Sequence, residues 1–133
     1  MAAQPEPTAP RVLVADDDPI NRRLAQKLLR RAGVDARVVD HGRAALEALA
    51  VEHFDLVLLD MQMPFLNGPE TAACIRRGDA GTCRAGTVLL ALTGYEGEQE
   101  HRCCVDAGMD GVLVKPLRMD ALEPWLTGKP GTA

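Results

Sequence analysis

Val12-Leu13-Val14-Ala15-Asp16-Asp17-Asp18-Pro19 is the stretch whose reading decides the fold. An apolar run this short, without polar alternation, is what a strand covered on both faces should show. Asp18-Pro19 then reads as a helix start, an acid at the N-cap followed by proline at the first helical position. Strand, acidic turn and helix follow one another without a spacer. Three further runs repeat the arrangement: Leu56-Val57-Leu58-Leu59 ends at Asp60, Val88-Leu89-Leu90-Ala91-Leu92 at Thr93, and Val112-Leu113-Val114 at Lys115, with Pro116 next.

Outward from these runs the chain alternates between strand and helix. After Pro19, Ile20, Leu24 and Leu28 recur every four residues with Ala25 and Leu29 beside them, forming one apolar stripe on a helix that Gly33 stops. Val34 to Val39 is a weaker strand, and a helix through Ala45, Leu46 and Leu49 ends near Glu52-His53. After the strand at 56–59, a loop carries Met63-Pro64 and Asn67-Gly68-Pro69, and a helix covers about Glu70–Arg77. A strand at 87–92, a helix over roughly 97–107 closed by Gly108, a strand at 111–114 and a helix at 119–126 complete the series. Pro124 should kink or shorten that last helix. Residues 1–10 read as a disordered leader and 128–133 as a flexible tail around one domain at 11–127.

The expected fold is α/β: a doubly wound, five-stranded parallel sheet with five helices and right-handed crossovers. Open sheets of this kind place ligands outside the carboxyl ends of their strands. Asp16, Asp17, Asp60, Thr93 and Lys115 all fall at such ends. Crowded carboxylates repel, and a cation relieves them. An oxygen-only donor set favours Mg2+, with Mn2+ as the alternative, over zinc or copper. Asp60 is the candidate nucleophile toward phosphorus. The next residue, Met61, opens a loop whose backbone can offer the metal a carbonyl. Thr93 can donate to a phosphoryl oxygen, and Lys115 can pair first with Asp60 and then with the phosphoryl group. Asp18 is assigned to helix capping. Each residue taken alone also has an ordinary reading, as a strand-end turn or a surface charge.

Composition narrows the function classes. With 133 residues, 47% apolar and 26% charged, the chain has the make-up of a globular domain. A net charge of -4 disfavours direct contact with nucleic acid. No apolar stretch approaches the ~20 residues needed to cross a bilayer, and the N-terminus does not read as a secretory signal. Cytoplasmic location is expected. Cys74, Cys83, Cys103 and Cys104 have no metal-ligand spacing and read as reduced thiols acting as small apolar residues.

Taken together, these stretches resemble the receiver domains of two-component response regulators. The matching segments are Val12–Pro19, Asp55–Pro64 with Asn67-Gly68, Ala91-Leu92-Thr93-Gly94, Ala107–Gly111 and Lys115-Pro116. The Met61-Gln62-Met63-Pro64 loop is most similar to receivers that serve hybrid histidine kinases. The resemblance implies a flavodoxin-like strand order 2-1-3-4-5. It implies a stand-alone phosphorelay or signalling switch without an output domain, in which Asp60 takes a phosphoryl group from phosphohistidine. Asp16, Asp17, Asp60 and the Met61 carbonyl would hold Mg2+, with Thr93 and Lys115 on the phosphoryl oxygens. The implied partners are a histidine kinase or a histidine phosphotransfer protein, met through Arg22, Arg23 and their neighbours, and a downstream protein. It implies a phosphoacceptor rather than a turnover enzyme. A phosphatase resembling haloacid dehalogenases would need an acid where Gln62 stands. Receivers often carry an aromatic switch residue where this chain has Val112, with Tyr95 as a partial substitute. That departure leaves a phosphorylation-independent interaction module as the alternative. With Pro124 in the last helix, a dimer built on it is discounted and a monomer expected.

Overall fold

Alternation of strand and helix holds throughout residues 10–78, 87–94 and 97–126, which the computed structural model describes. The elements are β1 (Arg11–Ala15), α1 (Pro19–Arg31), β2 (Asp35–Val39), α2 (Gly42–Val51), β3 (Leu56–Asp60), α3 (Gly68–Arg77), β4 (Val88–Thr93), α4 (Glu98–Asp106), β5 (Gly111–Val114) and α5 (Met119–Leu126). All pairings are parallel and the order is β2-β1-β3-β4-β5, as expected. The expected leader up to residue 9, the expected tail, Cys83 and Tyr95 lie outside the described residues.

The sheet separates two apolar layers by simple strand alternation. Leu13, Ala15, Val57, Leu59, Leu89 and Ala91 join Ala45, Leu49, Ala72, Ile75 and Cys104 from α2, α3 and α4 on one face. Val12, Val14, Leu56, Leu58, Leu90 and Leu92 join Ala25, Leu29 and Leu122 from α1 and α5 on the other. The central strands β1, β3 and β4 are almost wholly buried. Burial on both faces does not extend to the borders of the sheet. β2 has no fully buried residue and β5 has only Leu113, because a border strand has one neighbour and less helical cover.

Helix ends follow local chemistry. Asp18 caps α1 by accepting from the Ile20 N–H at 2.9 Å, with Pro19 in the first turn. Gly33, at φ 74°, follows its end. α3 begins two residues earlier than expected, because Asn67 and Glu70 form a reciprocal capping box that draws Gly68 and Pro69 into the first turn. His41 caps α2 through Nδ1, which accepts from the Ala44 N–H at 3.0 Å. A Cβ on Gly42 would collide with the Thr71 hydroxyl and the Leu66 carbonyl, so the start of α2 is pressed against the β3–α3 loop. α5 runs through Pro124 to Leu126.

Ile20 was expected to begin the buried stripe of α1, yet it is 76% exposed. The first turn of α1 stands at the carboxyl edge of the sheet, and burial begins only at Ala25 and Leu29.

Candidate functional site

Parallel register brings the strand ends into line. Ala15 pairs with Leu59, and Asp60 pairs with Leu92. Thr93 pairs with Val114, and its carbonyl accepts the Lys115 N–H at 2.7 Å. Asp16, Asp60, Thr93 and Lys115 are therefore adjacent because their strands are.

Asp60 is only 5% exposed. Its Oδ1 accepts from Lys115 Nζ at 2.8 Å and from the Gln62 N–H at 3.4 Å. Asp16 is buried beside it. Asp16 Oδ1 accepts from the Asp18 N–H at 2.9 Å, while Asp16 Oδ2 has no hydrogen-bond partner and lies 3.5 Å from Lys115 Nζ. Burial pushes the Asp60 carboxyl from 3.8 up to about 6, aided by the Asp16 charge and opposed by Lys115 and the Gln62 N–H. Burial also works against the Lys115 ammonium. Its hydrogen bond to Asp60 and the charges of Asp60 and Asp16 outweigh that cost and hold its pKa above the ordinary 10.5.

One carboxylate oxygen each from Asp16, Asp17 and Asp60 lies within 4.8 Å of the others. One lysine does not balance three carboxylates. Asp16 Oδ2, buried without a hydrogen bond and 3.5 Å from a lysine already bonded to Asp60, marks a site short of positive charge, and the donors are all hard oxygens. Mg2+ suits these residues. The Met61 carbonyl accepts the Gly68 N–H at 3.2 Å and keeps a second lone pair. Gly68 is needed there: a Cβ would stand 2.5 Å from the Asp60 carbonyl oxygen.

These groups open onto a cleft of about 730 Å³ whose lining includes Asp17, Asp60, Met61, Thr93 and Lys115. Asp18 also borders it, while its side chain caps α1. Sequence reasoning did not assign Asn21, Gln62, Asn67, Gln99, Glu100 or Cys103 to this wall. For Gln62 the signal was present, since its position two residues past Asp60 lets the backbone N–H turn back onto the carboxylate. Nothing in the sequence placed Gln99, Glu100 and Cys103, which arrive through the packing of α4. Cys104 is buried as expected of a small apolar residue, but Cys103 is exposed on the cleft wall. Arg22 is not purely an outward charge either, because its Nη1 donates to the Asp16 carbonyl at 2.9 Å. Val112 is half-buried against the layer under α2, α3 and α4. The Lys115–Pro116 peptide is cis.

Comparison with known proteins agrees with this geometry. Residues 12–126 match the family model described as response regulator receiver domain. The chain is 40% identical over 119 residues to the sensor histidine kinase GacS of Pseudomonas protegens, covering 86% of this chain but only 13% of that protein. Among solved structures, the receiver domain of the sensor histidine kinase PA1611 from Pseudomonas aeruginosa, with magnesium coordinated in its active-site cleft, is 25% identical. It matches with a TM-score of 0.79 over 93% of this chain and 99% of that one. The receiver domain of Ssk1 from Saccharomyces cerevisiae, solved with the histidine phosphotransfer protein Ypd1, is 26% identical. Its TM-score is also 0.79, with 90% of this chain and 89% of that chain covered. Shared sequence, shared strand order and an acidic cluster at the strand ends lead to one conclusion: the chain belongs to the response regulator receiver domains of two-component signalling.

Proposed function

We propose that Asp60 accepts a phosphoryl group from a phosphohistidine, with Mg2+ held by Asp16, Asp17, Asp60 and the Met61 carbonyl. One observation carries this reading: a buried carboxylate held at 2.8 Å by a lysine, with two further carboxylates within 4.8 Å of it. Asp60 Oδ1 takes both hydrogen bonds, so Oδ2 is the attacking oxygen. A new O–P bond forms as the N–P bond breaks, and the departing imidazole keeps the electron pair. Lys115 moves its hydrogen bond from the carboxylate to the phosphoryl oxygens, and Thr93 donates its hydroxyl to another. Bound Mg2+ would neutralise charge on the phosphoryl oxygens. The protein's contribution is mainly positioning and charge compensation.

The donor is a histidine kinase or a histidine phosphotransfer protein, and the chain is a phosphoacceptor rather than a turnover enzyme. Its relatives include long sensor kinases, which supports a relay step more than a stand-alone switch. Among the described residues no helix is long and apolar enough to cross a membrane. The test is mass spectrometry after incubation with Mg2+ and acetyl phosphate. A single phosphoryl adduct on the wild-type chain, absent from Asp60→Asn, is expected. No adduct, or an equal one on both proteins, refutes the reading.

A further inference from the structure

Phe65 is 85% exposed, the most exposed of the large apolar side chains among the described residues. It is also their only non-glycine residue with a positive φ, 73°. The Leu66 N–H donates to the Pro64 carbonyl at 2.8 Å across it. A positive φ at the centre of an i to i+2 hydrogen bond is the rarer, strained kind of γ-turn, and an aromatic residue gains nothing locally from that conformation.

The turn is held from both sides. Met63 is buried in the core. Leu66 meets the close approach of Gly42, and Asn67 is locked in the capping box of α3. The Phe65 ring meets His41 edge-on, with ring centroids 5.9 Å apart. An apolar ring is thus presented to solvent on a fixed support. Such a ring loses little freedom when a partner covers it, and aromatic side chains of this kind dominate binding energy.

Its place in the loop indicates the partner. Gln62 and Asn67, on either side of Phe65 in the sequence, both line the cleft above Asp60. A cleft of about 730 Å³ admits a phosphorylated imidazole but no folded domain. A protein that delivers its phosphohistidine to the buried Asp60 must therefore rest its own surface on the cleft rim. The geometry points to Phe65 as an anchor for the phosphohistidine-bearing protein, a specificity residue that touches the donor's surface and not the reacting atoms. The inference rests on the proposed phosphoacceptor role of Asp60.

The test compares two donors. One is a phosphotransfer domain carrying phosphohistidine, selected beforehand for measurable transfer to the wild-type chain. The other is phosphoramidate, which offers an N–P bond without a protein surface. Phe65→Ala is expected to lower kcat/KM at least ten-fold with the protein donor and to stay within two-fold of wild type with phosphoramidate. Phe65→Leu should recover most of the loss. Thermal midpoints of both variants check folding. Unchanged transfer from the protein donor overturns the inference. A parallel fall with both donors also overturns it, since Phe65 would then only shape the cleft. If no phosphotransfer domain transfers to the wild-type chain and phosphoramidate also leaves it unmodified, the phosphoacceptor reading is refuted instead.

Discussion

Replacing Asp60 by Asn should stabilise the metal-free protein at neutral pH. Asp60 titrates at about 6 in the fold against an ordinary 3.8, with burial as the main cause. The native state therefore binds a proton that the unfolded chain has already released, and ionised Asp60 weakens the fold as pH rises. The effect is absent below about pH 3.5 and complete above about pH 7.5, and the full span is ~3 kcal/mol. Lys115 stays charged throughout this window, so its own contribution hardly changes. Local relaxation and water entry reduce the span, and an observed gain of about 1–2 kcal/mol at pH 7.5 is expected for Asn, which keeps an acceptor for Lys115. Urea unfolding in EDTA at a series of pH values from about 4 to 8 measures it. The difference between variant and wild type should grow with pH and shrink when Mg2+ is restored. A variant less stable than wild type at pH 7.5 would show that Lys115 outweighs burial, and a pH-independent difference would show that the two cancel.

Three other outcomes follow from the same geometry. Mg2+ at ten times its dissociation constant should stabilise wild type by about 1.4 kcal/mol at pH 7.5. Differential scanning fluorimetry should show that gain fading toward pH 4.5, and lost in Asp17→Asn, whose exposed side chain leaves the core untouched. Gly68→Ala forces a methyl against the Asp60 carbonyl, and should cost about 1–3 kcal/mol in urea unfolding while slowing reaction with acetyl phosphate. Asp18→Ala removes the α1 cap and should cost about 1 kcal/mol. Its Mg2+ affinity, measured by calorimetry, should stay within two-fold of wild type, separating the cap from its acidic neighbours.

The fold and much of the site were legible because both are written in short-range pattern. The run at 111–114 and the helix at 119–126 fall where the sequence put them. Parallel register then converts four strand-end positions into one cluster. What stayed illegible depends on packing between elements. Ile20 has the spacing of a core residue, but its turn overhangs the sheet edge. Cys103 faces the cleft because of how α4 lies, and its neighbour Cys104 faces the core. Phe65 reads as one more apolar residue in a loop, and only its backbone dihedral sets it apart.

The two apolar layers on opposite faces of the sheet also divide control of the site. By strand alternation Asp16 and Asp60 share the face of Val12, Val14, Leu56 and Leu58, whereas Thr93 shares the face of Leu89 and Ala91. Repacking under α1 and α5 would shift the carboxylates, and repacking under α2, α3 and α4 would shift the hydroxyl. Distant substitutions in opposite layers should combine additively. Such a sheet allows carboxylate position and hydroxyl position to drift apart as separate traits, each adjustable by core changes that never touch the cleft.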